Sequence, residues 1–385
     1  MAVSKLEPDS FLHGLPGPRP FVIGLFCAFI LSKAGRKMAA HVIMGNLRKL
    51  LLHLPLRIRC RIVSRIFSFP IHTGRRLMQN TTVPYGYQWD SIAKVKHGHW
   101  IIPNVQGQGG AAWAEKTAND ADLILFYIHG GGFTIGDSLM YMTSYTYMIE
   151  RFAQVHNIKA RVFAVEYGLV PEVHWPKPRE DVEEAYSYLI RDLKVNPAKV
   201  IFGGDSAGGN LTATTLLSIR DQLRSGSVIA LSSMARLPLP MPRGGILISP
   251  WCNLEASSPT YITNAATDCL PIRHGHRNNT YIANFDKLSK EEQDTLISNP
   301  DVSPLFASYE GVCPLMVTVG GLEVFQHEIE TLIQKLQRDG VHVDVLSRPD
   351  CPHVWVVEPF LSPNVKVWAQ GISQLTDWCA ERLHQ

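Results

Sequence analysis

No Asp or Glu occurs between Phe11 and Trp89, although that stretch holds twelve Lys or Arg residues. With the whole chain at +3, the remainder carries a net charge of about −9. The basic charge thus belongs to the N-terminal part alone, and its apolar faces suit a membrane or cap helix better than a phosphate-reading surface, so nucleic acid is not an expected partner. A P-loop and a dinucleotide fingerprint are both missing, which excludes the common nucleotide sites. There is no C-x-x-C pair: Cys27, Cys60, Cys252, Cys269, Cys313, Cys351 and Cys379 are scattered and odd in number. That pattern excludes a disulfide framework and a cysteine zinc site, and predicts separate thiols in a reducing compartment. No metal or other cofactor is expected. Internal repeats and low-complexity blocks are also lacking.

Long apolar runs are scarce as well. Phe21 to Leu31 is apolar for eleven residues, short of the roughly 20 that a helix needs to span a bilayer. It has the length of a signal h-region, but Ser32-Lys-Ala-Gly-Arg-Lys37 does not resemble a cleavage site, and Glu7, Asp9 and several prolines precede the run. A cleaved signal peptide is therefore not expected. If the run inserts, the positive cluster behind it would keep the rest of the chain in the cytosol, on the endoplasmic reticulum face if that is the membrane used.

What is present is a globular composition, 45% apolar and 18% charged over 385 residues. Residues 1–90 read as a basic amphipathic region. Ile43, Leu47, Leu50, Leu51 and Leu54 share one helical face, and Pro55 ends that helix. A second helix sets Ile58, Ile62 and Ile66 on one side and Arg57, Arg61 and Arg65 on another. Two uses of this pair compete and are compatible: lying on an anionic membrane surface, or capping a pocket. Sequons stand at Asn80, Asn210 and Asn278 and decide nothing by themselves.

From residue 91 strands and helices alternate to the end. Leu123 to Ile128, Arg161 to Tyr167, Val200 to Phe202, Gly245 to Ser249, Leu315 to Val319 and Val341 to Leu346 read as strands, the first two preceded by weaker ones in Ser91 to Pro103. Helical patterns over 141–153, 181–193, 328–338 and the C-terminal end lie between and after them. The alternation predicts an α/β fold with a mostly parallel central sheet covered by helices on both faces. Residues 252–300 lack strand signals and read as an excursion that roofs the site.

One stretch organises the rest. Lys199 to Leu211 reads K-V-I-F-G-G-D-S-A-G-G-N-L: strand, tight turn, helix. Gly204 to Gly208 fits G-x-S-x-G, which exposes a serine hydroxyl on a strained turn and aims the following N–H groups at a developing anion. Acyl chemistry at Ser206 further requires a base, an acid to orient it and N–H donors for the oxyanion. Strand-end acids after Ser206 are few; Glu323 follows the strand ending at Val319, and Glu328 and Asp301 are rivals. Among later histidines His342 falls in a strand, His384 at the terminus and His327 beside the acid on its helix, which leaves His353. Gly131 and Gly132, after the strand that ends at Ile128, join the Ala207 N–H as expected oxyanion donors.

His129-Gly-Gly-Gly-Phe133, Tyr167-x-x-x-Pro171-Glu172, Gly204-Asp-Ser-Ala-Gly-Gly-Asn210, Ser249-Pro-Trp251 and Ser303-Pro-Leu305 together resemble the hormone-sensitive-lipase-like branch of the α/β-hydrolases. The resemblance runs from about Leu123 to His353. It implies the α/β-hydrolase fold with N-terminal helices forming part of a cap, and an esterase, lipase or deacetylase activity; arylacetamide and steryl deacetylases are similar in plan. In that branch the usual acid is Asp, whereas this chain has Glu323-Val-Phe-Gln-His-Glu328, so a glutamate would serve only if its loop retracts by about one methylene. The expectation is a serine hydrolase acting on a hydrophobic carboxylic ester through an acyl-enzyme. Alternatives on the same scaffold are acyl transfer to a second alcohol, processing of a specialised metabolite in the same cleft, and a non-catalytic ligand-binding protein. His353 argues against the last.

Overall fold

The computed structural model describes residues 50–82, 92–102, 110–225, 237–255, 257–271 and 281–384. The apolar run 21–31, most of the helix expected over 37–54, Cys27 and Asn278 lie outside the described residues.

The strands are β1 (Ile92–Val95), β2 (Gly98–Ile101), β3 (Leu123–Ile128), β4 (Ala160–Val165), β5 (Val200–Asp205), β6 (Gly244–Ile248), β7 (Leu315–Gly320) and β8 (Val343–Arg348). They form one sheet in the order β1-β2-β4-β3-β5-β6-β7-β8, with β1 and β2 antiparallel and every later pairing parallel. The helices are α1 (Leu56–Ile66), α2 (Ile71–Thr82), α3 (Ala111–Lys116), α4 (Met142–His156), α5 (Lys177–Ser187), α6 (Ala207–Ser225), α7 (Pro259–Thr263), α8 (Lys290–Ile297), α9 (Gln326–Arg338) and α10 (Val365–Leu383).

Strands β3 to β7 are buried along their whole length, which is why they read as continuous apolar runs and not as alternating ones. Register explains the choice of residues. Trp100, Phe163, Phe126 and Phe202 are successive partners across β2, β4, β3 and β5, with ring centroids 4.9, 5.8 and 4.6 Å apart. Tyr186 of α5 meets this aromatic row edge-on. The next partner is Gly245, where a Cβ would press on Leu216 of α6 at 2.9 Å. The opposite face carries Tyr127, packed on Tyr145 of α4, and Gly244, which lies under Trp378 of α10. Each of these buried aromatic side chains contributes roughly 2–3 kcal/mol by removal from water.

Some expectations shift. The helix expected over 181–193 begins at Lys177, because Pro178 is tolerated in a first turn, and its tail is a wider turn over Tyr188–Asp192. His342 lies just outside β8, exposed and 3.1 Å from the Asp344 carboxylate. On α1 the buried residues are Arg59 and Cys60, and Ile58, from the apolar side of that helix, is 42% exposed. The reason is Arg59. Its guanidinium reaches the carbonyls of Leu54 (2.9 Å), Phe360 (2.7 Å), Ser362 (2.9 Å) and Pro363 (3.0 Å), and burial pulls its pKa down. A charge can be buried there because it is saturated with acceptors. Arg75 of α2 bonds the carbonyls of Thr134 (2.7 Å) and Val170 (2.6 Å) and pairs with both Glu172 oxygens. The two helices are thus anchored to the body through arginines. The six described cysteines are all free and buried.

Candidate active site

The parallel strands end together on one side of the sheet, so the loops leaving β3, β5, β6, β7 and β8 share one crevice. Ser206 occupies the turn between β5 and α6 with φ 53°, a left-handed conformation that is costly for a side chain with a Cβ. The turn is pinned on three sides. Ser206 N–H donates to Ile248 O (2.9 Å), and Ser206 O accepts from Asn210 N–H and Trp251 N–H (3.0 Å each). Two motif glycines are required by space: a Cβ on Gly204 would lie 2.4 Å from Gly208 O, and one on Gly208 would lie 2.0 Å from Ile128 O. Ser206 is 7% exposed. Asn210 is fully buried and donates to Trp251 O and Val302 O (2.9 Å each), so this sequon is an internal brace.

After β3 the chain passes through His129 to Phe133. Gly131 (φ 106°), Gly132 (φ 61°) and Phe133 (φ 59°) all have positive φ, and a Cβ on Gly131 would lie 2.1 Å from Ile135 O. Gly130 N–H is taken by Asp205 Oδ1 at 3.0 Å. The N–H groups of Gly131, Gly132 and Ala207 meet no acceptor among the described residues. Ala207 also opens the 19-residue helix α6, whose dipole favours negative charge at that end.

Asp205, the residue before Ser206, organises this side. Tyr141 Oη donates to it at 2.7 Å and Tyr127 Oη at 3.0 Å. Burial pushes its carboxyl up to about 6, against the pull of those hydroxyls. Tyr167 stacks on His129 with centroids 4.4 Å apart and donates to His129 O at 2.8 Å. The tyrosine of the Tyr-x-x-x-Pro-Glu turn is therefore a support for the glycine loop.

On the other side of the crevice His353 Nδ1 lies 2.9 Å from Glu323 Oε2, with both side chains buried. Burial raises the Glu323 pKa; Gly320 N–H (2.5 Å) and the Ser249 hydroxyl (3.2 Å), both on Oε1, pull it back. The fold thus brings Glu323 to His353. It does not bring the rivals: Asp301 pairs with Arg179 at 2.8 Å, and Glu328 is buried in the first turn of α9. The loop 321–324 turns back so that Glu323 Oε1 meets the amide of Gly320.

Two residues that pattern reading did not assign stand behind this pair. Ser249, at φ 43°, holds Glu323 through its hydroxyl and accepts Val354 N–H at 3.2 Å. Its place at the end of β6 was a usable signal. Asp268 accepts His353 N–H at 3.0 Å and Val324 N–H at 2.8 Å from within the excursion, where no spacing marked it. Phe325 meets the His353 ring edge-on at 5.1 Å and stacks with Trp251 (5.9 Å), which lies beside Phe133 (5.6 Å); Phe133 stacks on Tyr281 at 3.8 Å. An aromatic wall therefore joins the histidine to the glycine loop. Among the described residues no three His, Cys, Asp or Glu side chains gather as a metal site.

Comparison with known proteins agrees with this fold. A family model described as the alpha/beta hydrolase fold matches residues 125–357, more than half of the chain. The acetyl-hydrolase of Streptomyces hygroscopicus is 27% identical over 251 residues, which is 65% of this chain and 73% of that protein. Arylacetamide deacetylase of Rattus norvegicus is 39% identical over 100 residues, 25% of this chain and 24% of its own. Among solved structures, the enzyme EstE5 soaked with p-nitrophenyl butyrate superposes with a TM-score of 0.65 at 23% identity, covering 86% of this chain and 100% of EstE5. The chain belongs to the α/β-hydrolase family.

Proposed function

We propose that the chain is a serine hydrolase that cleaves a hydrophobic carboxylic ester. Ser206 Oγ attacks the ester carbonyl while His353 takes its proton, and the negative charge formed on the carbonyl oxygen is held by the N–H groups of Gly131, Gly132 and Ala207. Glu323 keeps the imidazole in the tautomer with Nδ1 protonated and offsets its charge. The alcohol leaves with the proton from His353, and a water deprotonated by the same histidine then releases the acid from Ser206. The observation that carries the reading is the buried His353–Glu323 pair at 2.9 Å on loops that follow β7 and β8, in the crevice that holds the left-handed Ser206 turn. The names of the relatives, an acetyl-hydrolase and a deacetylase, support deacylation chemistry. The aromatic wall from Phe325 to Phe133 favours an apolar substrate.

The direct test is Ser206→Ala assayed with p-nitrophenyl acetate and butyrate. Turnover should fall at least a thousandfold, with a folded protein by circular dichroism. Unchanged turnover would overturn the reading.

A second reading concerns the N-terminal region. Leu50 (67% exposed), Ile58 and Phe69 (48%) stand in water beside the exposed Arg57, Arg61 and Arg65, and no acid occurs between 50 and 82. Such a basic surface with apolar knobs fits an anionic membrane surface. No described helix is long and apolar enough to cross a membrane. Flotation with phosphatidylserine vesicles, and none with neutral ones, is the expected outcome; equal behaviour with both contradicts it.

A further inference from the structure

The segment from α7 to Asp268 makes contacts that a roof does not need. Thr260 Oγ1 donates to Val324 O (2.8 Å), Asn264 Nδ2 to Glu323 O (2.9 Å) and Gly321 O (3.3 Å), and Thr267 Oγ1 to Leu322 O (3.2 Å). All four acceptors are backbone carbonyls of the short loop that carries Glu323. Asp268 completes the set as an acceptor of backbone N–H groups. Its Oδ2 accepts Val324 N–H (2.8 Å), and its Oδ1 accepts His353 N–H (3.0 Å) and Cys269 N–H (2.7 Å). One buried carboxylate thus ties the residue after Glu323 to His353 itself.

We propose that Asp268 is a positioning residue for the His353–Glu323 pair. It fixes the two backbone segments at the separation at which a glutamate, one methylene longer than the aspartate usual in this branch, meets Nδ1. Its negative charge also stabilises the imidazolium that forms when His353 takes the Ser206 proton. The proposal rests on the reading of Ser206 and His353 given above. Three carboxylates bear on the imidazole: Glu323 from the loop after β7, Asp205 from the end of β5 and Asp268 from the excursion. Cys269 Sγ lies 3.9 Å from His353 O, and the Phe325 ring fills one side. Burial and the neighbouring Glu323 charge raise the Asp268 pKa against the pull of the charge on His353 and the two N–H donors, and the net direction is upward. The geometry suits a carboxylate, since both oxygens accept and every one of these hydrogen bonds comes from a backbone N–H.

The test is Asp268→Asn in the full chain. Asparagine keeps the size, removes the charge and turns an amide donor toward an N–H. Two readouts are needed: the His353 imidazole titrated by NMR, and kcat and KM for p-nitrophenyl butyrate against pH. The imidazole titration should move to lower pH, because a nearby anion that favoured the protonated ring is gone, and the acid limb of kcat/KM should follow it. kcat should fall about 10- to 100-fold with KM within about threefold. An imidazole titration that stays in place in a folded Asp268→Asn protein overturns the proposal, since it assigns Asp268 a packing role only. Should Asp268→Asn not fold, Asp268→Glu decides: the charge is kept but displaced, so kcat should still fall while the titration stays near that of the parent. Parental kcat in that variant also overturns it. Failure of the underlying catalytic reading is seen separately, as retained turnover in Ser206→Ala, and leaves the NMR readout intact.

Discussion

Asp205 and Asp268 are both buried, both accept backbone N–H groups, and each supports one half of the site, yet they reach it by different routes. Asp205 is the chain neighbour of Ser206 and holds the glycine loop of β3 through a single amide, Gly130 N–H, plus two tyrosine hydroxyls. Asp268 is distant in sequence from both residues it serves and uses amides alone. The nucleophile half is therefore built locally, from a motif that carries its own brace. The acid–base half is assembled from β6, β7, β8 and the excursion together. Some turnover should survive injury to the second half, whereas injury to the first should abolish it even with the second intact, because His353 has nothing to activate once the Ser206 turn is lost.

The largest effect should come from breaking the assembled half at its centre. Glu323→Gln leaves a group of the same shape that favours the wrong imidazole tautomer, and kcat should drop about a thousandfold to ten-thousandfold in steady-state assays while some turnover above the uncatalysed rate remains from the local half. Loss of all catalysis above that rate would show that the two halves are not separable.

Injury to the local half comes next. Gly131→Ala demands φ near 106° from an alanine and sets its Cβ 2.1 Å from Ile135 O, so the glycine loop must move. A loss of about a hundredfold to a thousandfold in kcat is expected, the range seen when one oxyanion donor is removed. The His353 imidazole titration should be unaffected, and a shift in it would blur the division between halves.

Asp205 offers a pH test. Its carboxyl holds a proton to about pH 6 when folded, against a usual 3.8, so the native state binds more protons between those values. The stability it contributes is full below about pH 3.8 and is lost as pH rises to about 6, on the order of 3 kcal/mol in all. Asp205→Asn should flatten that slope. Thermal unfolding of both proteins from pH 4 to 7 measures it, and parallel curves would refute it.

The smallest catalytic effect belongs to the anchor of the N-terminal helix. Arg59→Met strips four carbonyls of their charged donor, and stability should fall by about 2 kcal/mol in urea unfolding with kcat within about twofold. A large loss of kcat would mean that α1 acts on the site and not only on its frame.

This division also marks what was legible in the sequence. Ser206, Gly131 and Gly132 stand in motifs because tight turns restrict residue type over a few positions, and strand ends are readable where apolar runs stop. The pairing of Glu323 with His353 followed from placing each at a strand end. Ser249 had a usable signal in its place at the end of β6, whereas Asp268 was out of reach, and both went unassigned for a different reason. Their roles depend on backbone N–H groups and one carboxylate meeting across long separations, and a hydrogen bond to a backbone amide leaves no mark on the partner's identity. Arg59 went unassigned for a related cause: helical periodicity sorts residues by polarity, but this arginine faces inward because four carbonyls near 54 and 360–363 receive it.

The central claim is that Ser206 is a nucleophile activated by His353. Treatment of the full chain with a fluorophosphonate, followed by mass spectrometry of its peptides, reads this at the atom concerned. A single phosphonyl adduct on Ser206 is predicted, formed at least a hundredfold more slowly in His353→Ala. An unmodified Ser206 after exhaustive treatment, or an adduct formed as fast without His353, would contradict the account.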